Sequence, residues 1–485
     1  MTRTSALRLL GMLLALALVA AACGGDGGTT TEPAPTAAAT STAVPTPAAS
    51  PSATMVATPA PTAPTATPEP TAPATPEPTP SPTAAATPDQ VVTPEPTPAS
   101  TPSPPLKYGD GPHPSGLDMA AIETAAAAWM QQVRTPGLVL AVAHGDEDPW
   151  AFSWGTDDVV TGEPLSTEDY FRIGSITKPV TTTAVMSLVD EGVLDLDTPV
   201  TAYLGDDWYG DYEHGPDITL RHLMGHTAGF VEYAFDPGFF VLASARLSVP
   251  ITPEEIVRFT TNYGPVADFG TEYNYSTAGH VIAGMVIEAV TGNLAHEELR
   301  ARIFEPLGVR NTYLTPGEFP PQPVVVGYNQ GMLAMAYETL TTVPDEARAS
   351  FMGRDYISSV GFPQEFVQSA GWTGGGLEGQ IGDLPRLFRG LFAGGLMGAD
   401  SLAEMTTAGV NPDYGLGVGI GEADGHAVLS HGGGVPGFRS IAMYLPELDL
   451  SVAASTNLLP PDPDIGELVR ELIPIIIESW DLTSS

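Results

Sequence analysis

The chain has 485 residues, with 18 basic and 57 acidic side chains and a formal charge of −39. That balance excludes a basic groove for nucleic acid and disfavours attraction to an anionic membrane surface; a solvated acidic exterior is its ordinary meaning. Cys23 is the single cysteine, so no intramolecular disulfide exists.

Arg3 and Arg8 precede an apolar run over 9–19 and then Ala20-Ala21-Ala22-Cys23. A positive start, an apolar segment too short for a bilayer span and small residues before a cut site predict a signal peptide over 1–22. A cysteine at that point resembles the lipidated cysteine of bacterial lipoproteins, with Ala20 standing where leucine is usual. The resemblance implies acylation at Cys23 and an extracytoplasmic, cell-surface location, with the membrane reached only through that anchor. The plain alternative is a leader cut nearby and no lipid.

Over 23–105 the chain is nearly all Pro, Thr, Ala and Ser, with recurring Thr-Pro and Pro-Glu-Pro-Thr units. No apolar periodicity is present, so a disordered, extended stalk is expected, reaching roughly 200 Å at about 3 Å per residue. Six acids and no bases lie between Gly24 and Pro105, so the charge belongs mostly to 106–485. That length suffices for one large α/β domain with a subsidiary helical lobe.

In the folded part, helical spacing over 117–133 ends at Pro136-Gly137, and apolar runs at 138–143 and 150–154 flank a turn at 144–146, predicting a hairpin. A helix carrying Lys178 runs to about Asp190, with Gly192 as its stop. Helices are predicted over 218–224, 253–260, 278–291 and 294–304. Another, 383–393, follows the glycine-rich 371–376. Strands over 426–429, 439–445 and 450–455 precede a closing helix over 464–480 in which Pro474 is a kink signal. The simplest closure is an α+β arrangement. The early hairpin joins the late strands in one antiparallel sheet with both terminal helices on one face, and the helical middle forms a second lobe on the other. The lobes leave a cleft between them.

The chemistry centres on Phe171-Arg172-Ile173-Gly174-Ser175-Ile176-Thr177-Lys178-Pro179. A helix beginning at or just before Ser175 places Ser175 and Lys178 on one face. A serine hydroxyl needs a base within hydrogen-bond reach, and a lysine desolvated at that distance supplies one. The bland alternative is a chance pair on a solvated face. It is weakened because the chain has only two lysines, Lys107 and Lys178, and no carboxylate adjoins Lys178 in sequence.

Tyr275, in a glycine-containing turn before a helix, suits a proton carrier or simple packing. Ser430 to Phe438 holds His431-Gly432-Gly433-Gly434 just after a predicted strand, where glycines let a substrate approach backbone N–H groups; the alternative is a flexible hairpin loop. His-Gly-Gly-Gly also serves as an oxyanion motif in some α/β-hydrolases, but no Gly-x-Ser-x-Gly elbow follows it here. His222 and His226 have a zinc-hydrolase spacing, yet Leu223 and Met224 replace the glutamate base, so a structural histidine is the stronger reading and no metal is expected.

Ser-x-x-Lys, then the tyrosine motif, then His-Gly-Gly together resemble the serine β-lactamase and penicillin-binding-protein superfamily, nearest to its class C branch with its carboxypeptidases and esterases. Leu223-Met224-Gly225-His226-Thr227-Ala228-Gly229 and Tyr414-Gly415-Leu416-Gly417 agree. The resemblance covers about 117–477, with less support over 316–369, an insertion read as a lid or a packing element. It implies Ser175 as acylated nucleophile, Lys178 as its proton partner, Tyr275 sharing acid/base work, and His431 in place of the lysine of a Lys-Thr-Gly motif. The Ser175 and Gly434 N–H groups form the oxyanion hole, Thr277, Gly432 and Gly433 line the substrate, and no cofactor is implied. Thr277 replaces the motif's usual asparagine, and its hydroxyl cannot supply both the donor and the acceptor of an amide. The expectation is therefore an exported serine hydrolase for a carboxylic ester or small amide. A D-alanyl-D-alanine carboxypeptidase or weak β-lactamase is the alternative, and a non-catalytic wall-binding or sensor domain stands behind both.

Overall fold

The computed structural model describes residues 116–236, 239, 249–330, 357–358, 364–393 and 395–482. The segments predicted as leader and stalk, Cys23, residues 106–115 and much of 316–369 lie outside the described residues.

The described chain opens with α1 (Met119–Val133), the hairpin strands β1 (Gly137–His144) and β2 (Trp150–Asp158), a short β3 (Glu163–Pro164) and β4 (Tyr170–Gly174), which leads to α2 (Thr177–Asp190). A mostly helical stretch follows. It includes α3 (Leu220–Met224) and α4 (Thr277–Thr291), then β5 (Thr312–Leu314), α5 (Gln364–Gly375), β6 (Leu377–Gln380) and α6 (Asp383–Phe392). A meander of β7 (Gly419–Ala423), β8 (His426–Val435), β9 (Phe438–Leu445) and β10 (Leu450–Thr456) precedes α7 (Ile465–Trp480).

The predicted closure is the observed one. A seven-stranded antiparallel sheet runs β3-β2-β1-β10-β9-β8-β7, so the first hairpin meets the last strands through β1 and β10, with Ala141 opposite Ala453. Alternation along β1 builds both faces. Leu138, Leu140 and Val142 pack with Ile122 of α1 and Leu472 of α7, whereas Val139 and Ala141 join the core that includes Val180 of α2 and Ile282 of α4. Buried on both sides, β1 needs its nearly unbroken apolar sequence.

Four local features differ from or add to the sequence reading. The glycines of 431–434 are ladder residues of β8, with His431 opposite Ala442 and Gly433 opposite Ser440, so they form neither a loop nor the region after a strand. Pairing to β9 holds them where intrinsic propensity would not. Residues 371–375 belong to α5, which bends at Trp372 (φ 34°, ψ −132°). The closing helix passes through Pro474 as one element. A small sheet, β4-β6-β5, is additional. Its Leu-Glu-Gly-Gln strand β6 has no strand pattern and forms because Glu378 meets Arg172 across the ladder at 3.0 Å, both buried.

Candidate active site

The site is assembled where β4 ends. Gly174 takes a positive φ of 57°, which glycine alone adopts without strain, and turns the chain so that Ser175 precedes α2. The helix starts at Thr177, slightly later than expected, and Ser175 sits in the turn before it. The Lys178 amide donates to the Ser175 carbonyl at 2.9 Å. Thr177 pins this turn: its hydroxyl donates to the Gly174 carbonyl at 2.6 Å and accepts the Leu377 N–H at 3.1 Å.

Lys178 is wholly enclosed. Its Nζ lies 3.0 Å from Ser175 Oγ, 2.7 Å from the Gly374 carbonyl and 3.3 Å from Thr277 Oγ1. A neutral amine has two donors and one lone pair. It can therefore donate to Gly374 and Thr277 while accepting the Ser175 proton, which is the arrangement a base requires. The bend at Trp372 brings the Gly374 carbonyl here, and a Cβ on Gly374 would lie 2.7 Å from Thr277 Cγ2.

Tyr275 presents its ring 4.7 Å from Lys178 Nζ and 4.4 Å from the His226 ring. Glu232 accepts the Thr277 N–H at 2.6 Å and the Ala234 N–H at 3.0 Å, tying the start of α4 to the loop after α3. Protein crowds this carboxyl, though it keeps partial solvent access. Desolvation raises its pKa against the opposing pull of Lys178 and of these bonds.

Three histidines gather around the site, all buried. The Ser276 N–H donates to His226 Nδ1 at 3.2 Å; His226 Nε2 lies 3.3 Å from the Tyr414 hydroxyl; that hydroxyl lies 2.9 Å from His431 Nε2; and His431 Nδ1 lies 2.6 Å from the Gly432 carbonyl. Burial, then the charge of Lys178, pushes His431 down to about 3. Burial likewise holds His226 and His280 well below the ordinary imidazole range. All three are neutral at pH 7.

The glycines of β8 meet the nucleophile turn backbone to backbone. A Cβ on Gly433 would fall 1.8 Å from the Ile173 carbonyl oxygen and 3.3 Å from the Ser175 nitrogen, and one on Gly174 would fall 2.9 Å from the Gly434 nitrogen. The Ser175 turn and the Gly434 amide are thus neighbours, the requirement for a two-amide oxyanion hole. Gly432 is placed differently: its Cα backs onto the Arg439 guanidinium, which Asp464 holds at 2.6 Å.

Ser175, Lys178, Tyr275, Thr277, His431, Gly433 and Gly434 therefore converge. His222 stands apart from His226, its Nδ1 closing the cap of α3 against Thr219. The Gly374 carbonyl, Glu232, His226 and Tyr414 escaped the sequence reading as site residues. His226 and Tyr414 lie in segments that carry the family resemblance, and His226 was weighed only as a metal ligand, but no local signal ties a histidine at 226 to a tyrosine at 414.

Comparison with known proteins agrees with this geometry. The Beta-lactamase family model matches residues 122–472. The chain is 26% identical over 345 residues to a D-aminopeptidase of Cereibacter sphaeroides, covering 70% of this chain and 60% of the relative. It is 29% identical over 230 residues to Esterase EstB of Burkholderia gladioli, covering 44% and 57%. It thus spans less than two thirds of either curated relative. The crystal structure of a D-stereospecific amidohydrolase from Streptomyces sp. superposes with a TM-score of 0.60 at 28% identity, covering 73% of this chain and 97% of that one.

Proposed function

The chain belongs to the β-lactamase family, and from that premise we propose that it is a serine hydrolase acting through an acyl-enzyme on an uncharged carboxylic ester or small amide. The observation that carries the reading is the enclosed Lys178 amine, 3.0 Å from Ser175 Oγ with two acceptors taking its hydrogens. As Oγ attacks the carbonyl carbon, Lys178 takes its proton and the Ser175 and Gly434 amides receive the oxyanion. The proton then passes to the departing alkoxide or amine, with Tyr275 beside the path. Water, deprotonated by the same groups, releases the acid.

The substrate class follows from charge. His431 is neutral, Arg439 is bound to Asp464, and Lys178 serves as base only as its neutral amine, so the described residues around His431 offer a substrate carboxylate no dedicated cation. A carboxylate-bearing peptide or penicillin finds no dedicated partner there. The esterase and amidohydrolase named above are consistent with ester or small-amide chemistry. The protein is expected to turn over p-nitrophenyl butyrate and little of a chromogenic cephalosporin, with ester turnover lost in Ser175→Ala. Dominant cephalosporin turnover would favour the peptidase or β-lactamase alternative, and equal rates in both proteins would favour a binding domain.

Export and lipid anchoring at Cys23 belong to the same reading, supported by the arginines, apolar run and small residues before it. Metabolic labelling with an alkynyl fatty acid in a bacterial host should mark the protein and leave Cys23→Ser unmarked. Equal labelling of the two would remove the anchor.

A further inference from the structure

Thr277 opens α4, and its N–H is one of the donors that a helix start leaves without an intrahelical partner. Ser276, in the capping position, does not supply one: its hydroxyl donates to the Val231 carbonyl at 3.0 Å. The partner comes from the loop after α3, where one oxygen of Glu232 takes the Thr277 N–H and the other takes the Ala234 N–H. Asn274, just before the same turn, donates to the Phe230 carbonyl at 2.6 Å, so three side-chain bonds fasten this loop to the start of α4.

Donors on both oxygens of Glu232, with the Thr277 hydroxyl added to them, favour the anion over the acid. A hydroxyl that donates to the carboxylate keeps its oxygen free to accept from Lys178 Nζ, 3.3 Å away. Thr277 is β-branched and its methyl lies against Gly374, so holding its backbone also holds its hydroxyl. The Gly374 carbonyl can only accept. Two hydrogens of the amine are thereby assigned, and its lone pair is left toward Ser175 Oγ.

We propose that Glu232 is a positioning residue of the hydrolase site: its carboxylate holds Thr277 so that the hydroxyl orients the Lys178 amine, and its negative charge keeps that enclosed amine basic enough to take the Ser175 proton. This rests on the hydrolase reading above. Burial alone drives an amine toward its neutral form and weakens it as a base. An anion one hydroxyl away opposes that, and the pull is mutual: against the dominant desolvation, the charge of Lys178 draws the Glu232 pKa down. The other titratable groups facing the amine are Tyr275 and His280 from α4 and its leading turn, His226 from the loop after α3, and His431 from β8. The three imidazoles, neutral at pH 7, contribute no charge there, and burial keeps Tyr233, beside Glu232, protonated.

The chain has two lysines, Lys107 and Lys178, so a lysine 13Cε label in a Lys107→Arg background leaves one resonance, that of Lys178. Its titration midpoint should be lower in Glu232→Gln than in the parent by about one pH unit, since removing a nearby anion favours the neutral amine. With p-nitrophenyl butyrate, kcat should fall roughly tenfold and the acid limb of kcat/KM should move down with the resonance. A merely structural role lowers kcat and leaves the midpoint where it was. That result, a midpoint that rises, or an unchanged kcat overturns the proposal. Should Glu232→Gln not fold, the Thr277 amide proton of the wild type reads the same carboxylate. A titration with its midpoint below pH 7 supports the assignment; a midpoint above pH 7, or no response as the carboxylate range is crossed, overturns it. If wild type shows no Ser175-dependent ester turnover, the hydrolase reading falls and takes the positioning claim with it. Turnover with an unmoved lysine midpoint removes Glu232 alone.

Discussion

Lys178→Met is expected to lower kcat/KM for a p-nitrophenyl ester by roughly a thousandfold, about 4 kcal/mol of transition-state stabilisation, while the protein stays folded. Methionine keeps the length and flexibility of the lysine stem but cannot accept the Ser175 proton. The loss should appear in kcat, because the amine is bonded to Ser175, Thr277 and Gly374, the groups around the reacting hydroxyl. Stability should change little. Removing a buried amine relieves its desolvation, which offsets the donors lost by the Gly374 carbonyl and Thr277. Lys178→Arg should not rescue the rate, since a guanidinium stays protonated and cannot act as base. A methionine variant within tenfold of wild type would transfer the base role to Tyr275 or another group. Stopped-flow measurement of the acylation burst, with melting curves for both variants, separates a chemical loss from a folding loss.

The features of the site legible in the sequence are local or nearly so. Ser175 and Lys178 lie within one turn, and Gly433 and Gly434 announce a close backbone approach by composition alone. The large sheet was legible because β1 carries a nearly unbroken apolar run and β9 and β10 mostly apolar ones, and such runs at opposite ends of a chain have few ways to cover one another. The small sheet was not, because Leu377–Gln380 is a strand only through its partners; Glu378 sits in a sheet core because Arg172 is there to meet it. Glu232, His226 and Tyr414 were missed for a related reason. Tyr414 lies 188 residues from His226, and what makes each of them matter is the donor or acceptor role its neighbour leaves open. The glycine-rich 371–376 illustrates the same limit: its composition assigned it no role, whereas the fold uses a bend at Trp372 to aim one carbonyl at Lys178.

Gly433→Ala should separate the two halves of the site. The added methyl would meet the Ile173 carbonyl oxygen at 1.8 Å and its carbon at 2.8 Å, both backbone atoms of the strand that delivers Ser175. No rotamer relieves such a clash, so either β8 or the β4 turn must move. Ile173 is anchored by its neighbours, with Arg172 paired to Glu378 and Thr177 bonded to both Gly174 and Leu377. β8 is therefore the part expected to lift, carrying the Gly434 amide away from Ser175. A displacement near 1 Å is enough to cost roughly a hundredfold in kcat, and overpacking of this kind costs about 1–3 kcal/mol of stability. Gly421→Ala on the neighbouring strand β7 is the control: its Cβ would meet nothing within 4 Å, so rate and melting temperature should stay near wild type. If Gly433→Ala also retained rate and melting temperature, β8 and the nucleophile turn would not be in contact as described, and the oxyanion role of Gly434 would go with it. Loss of kcat at unchanged melting temperature would mean that the strand has shifted without unfolding and that the amide pair is needed for chemistry more than for packing.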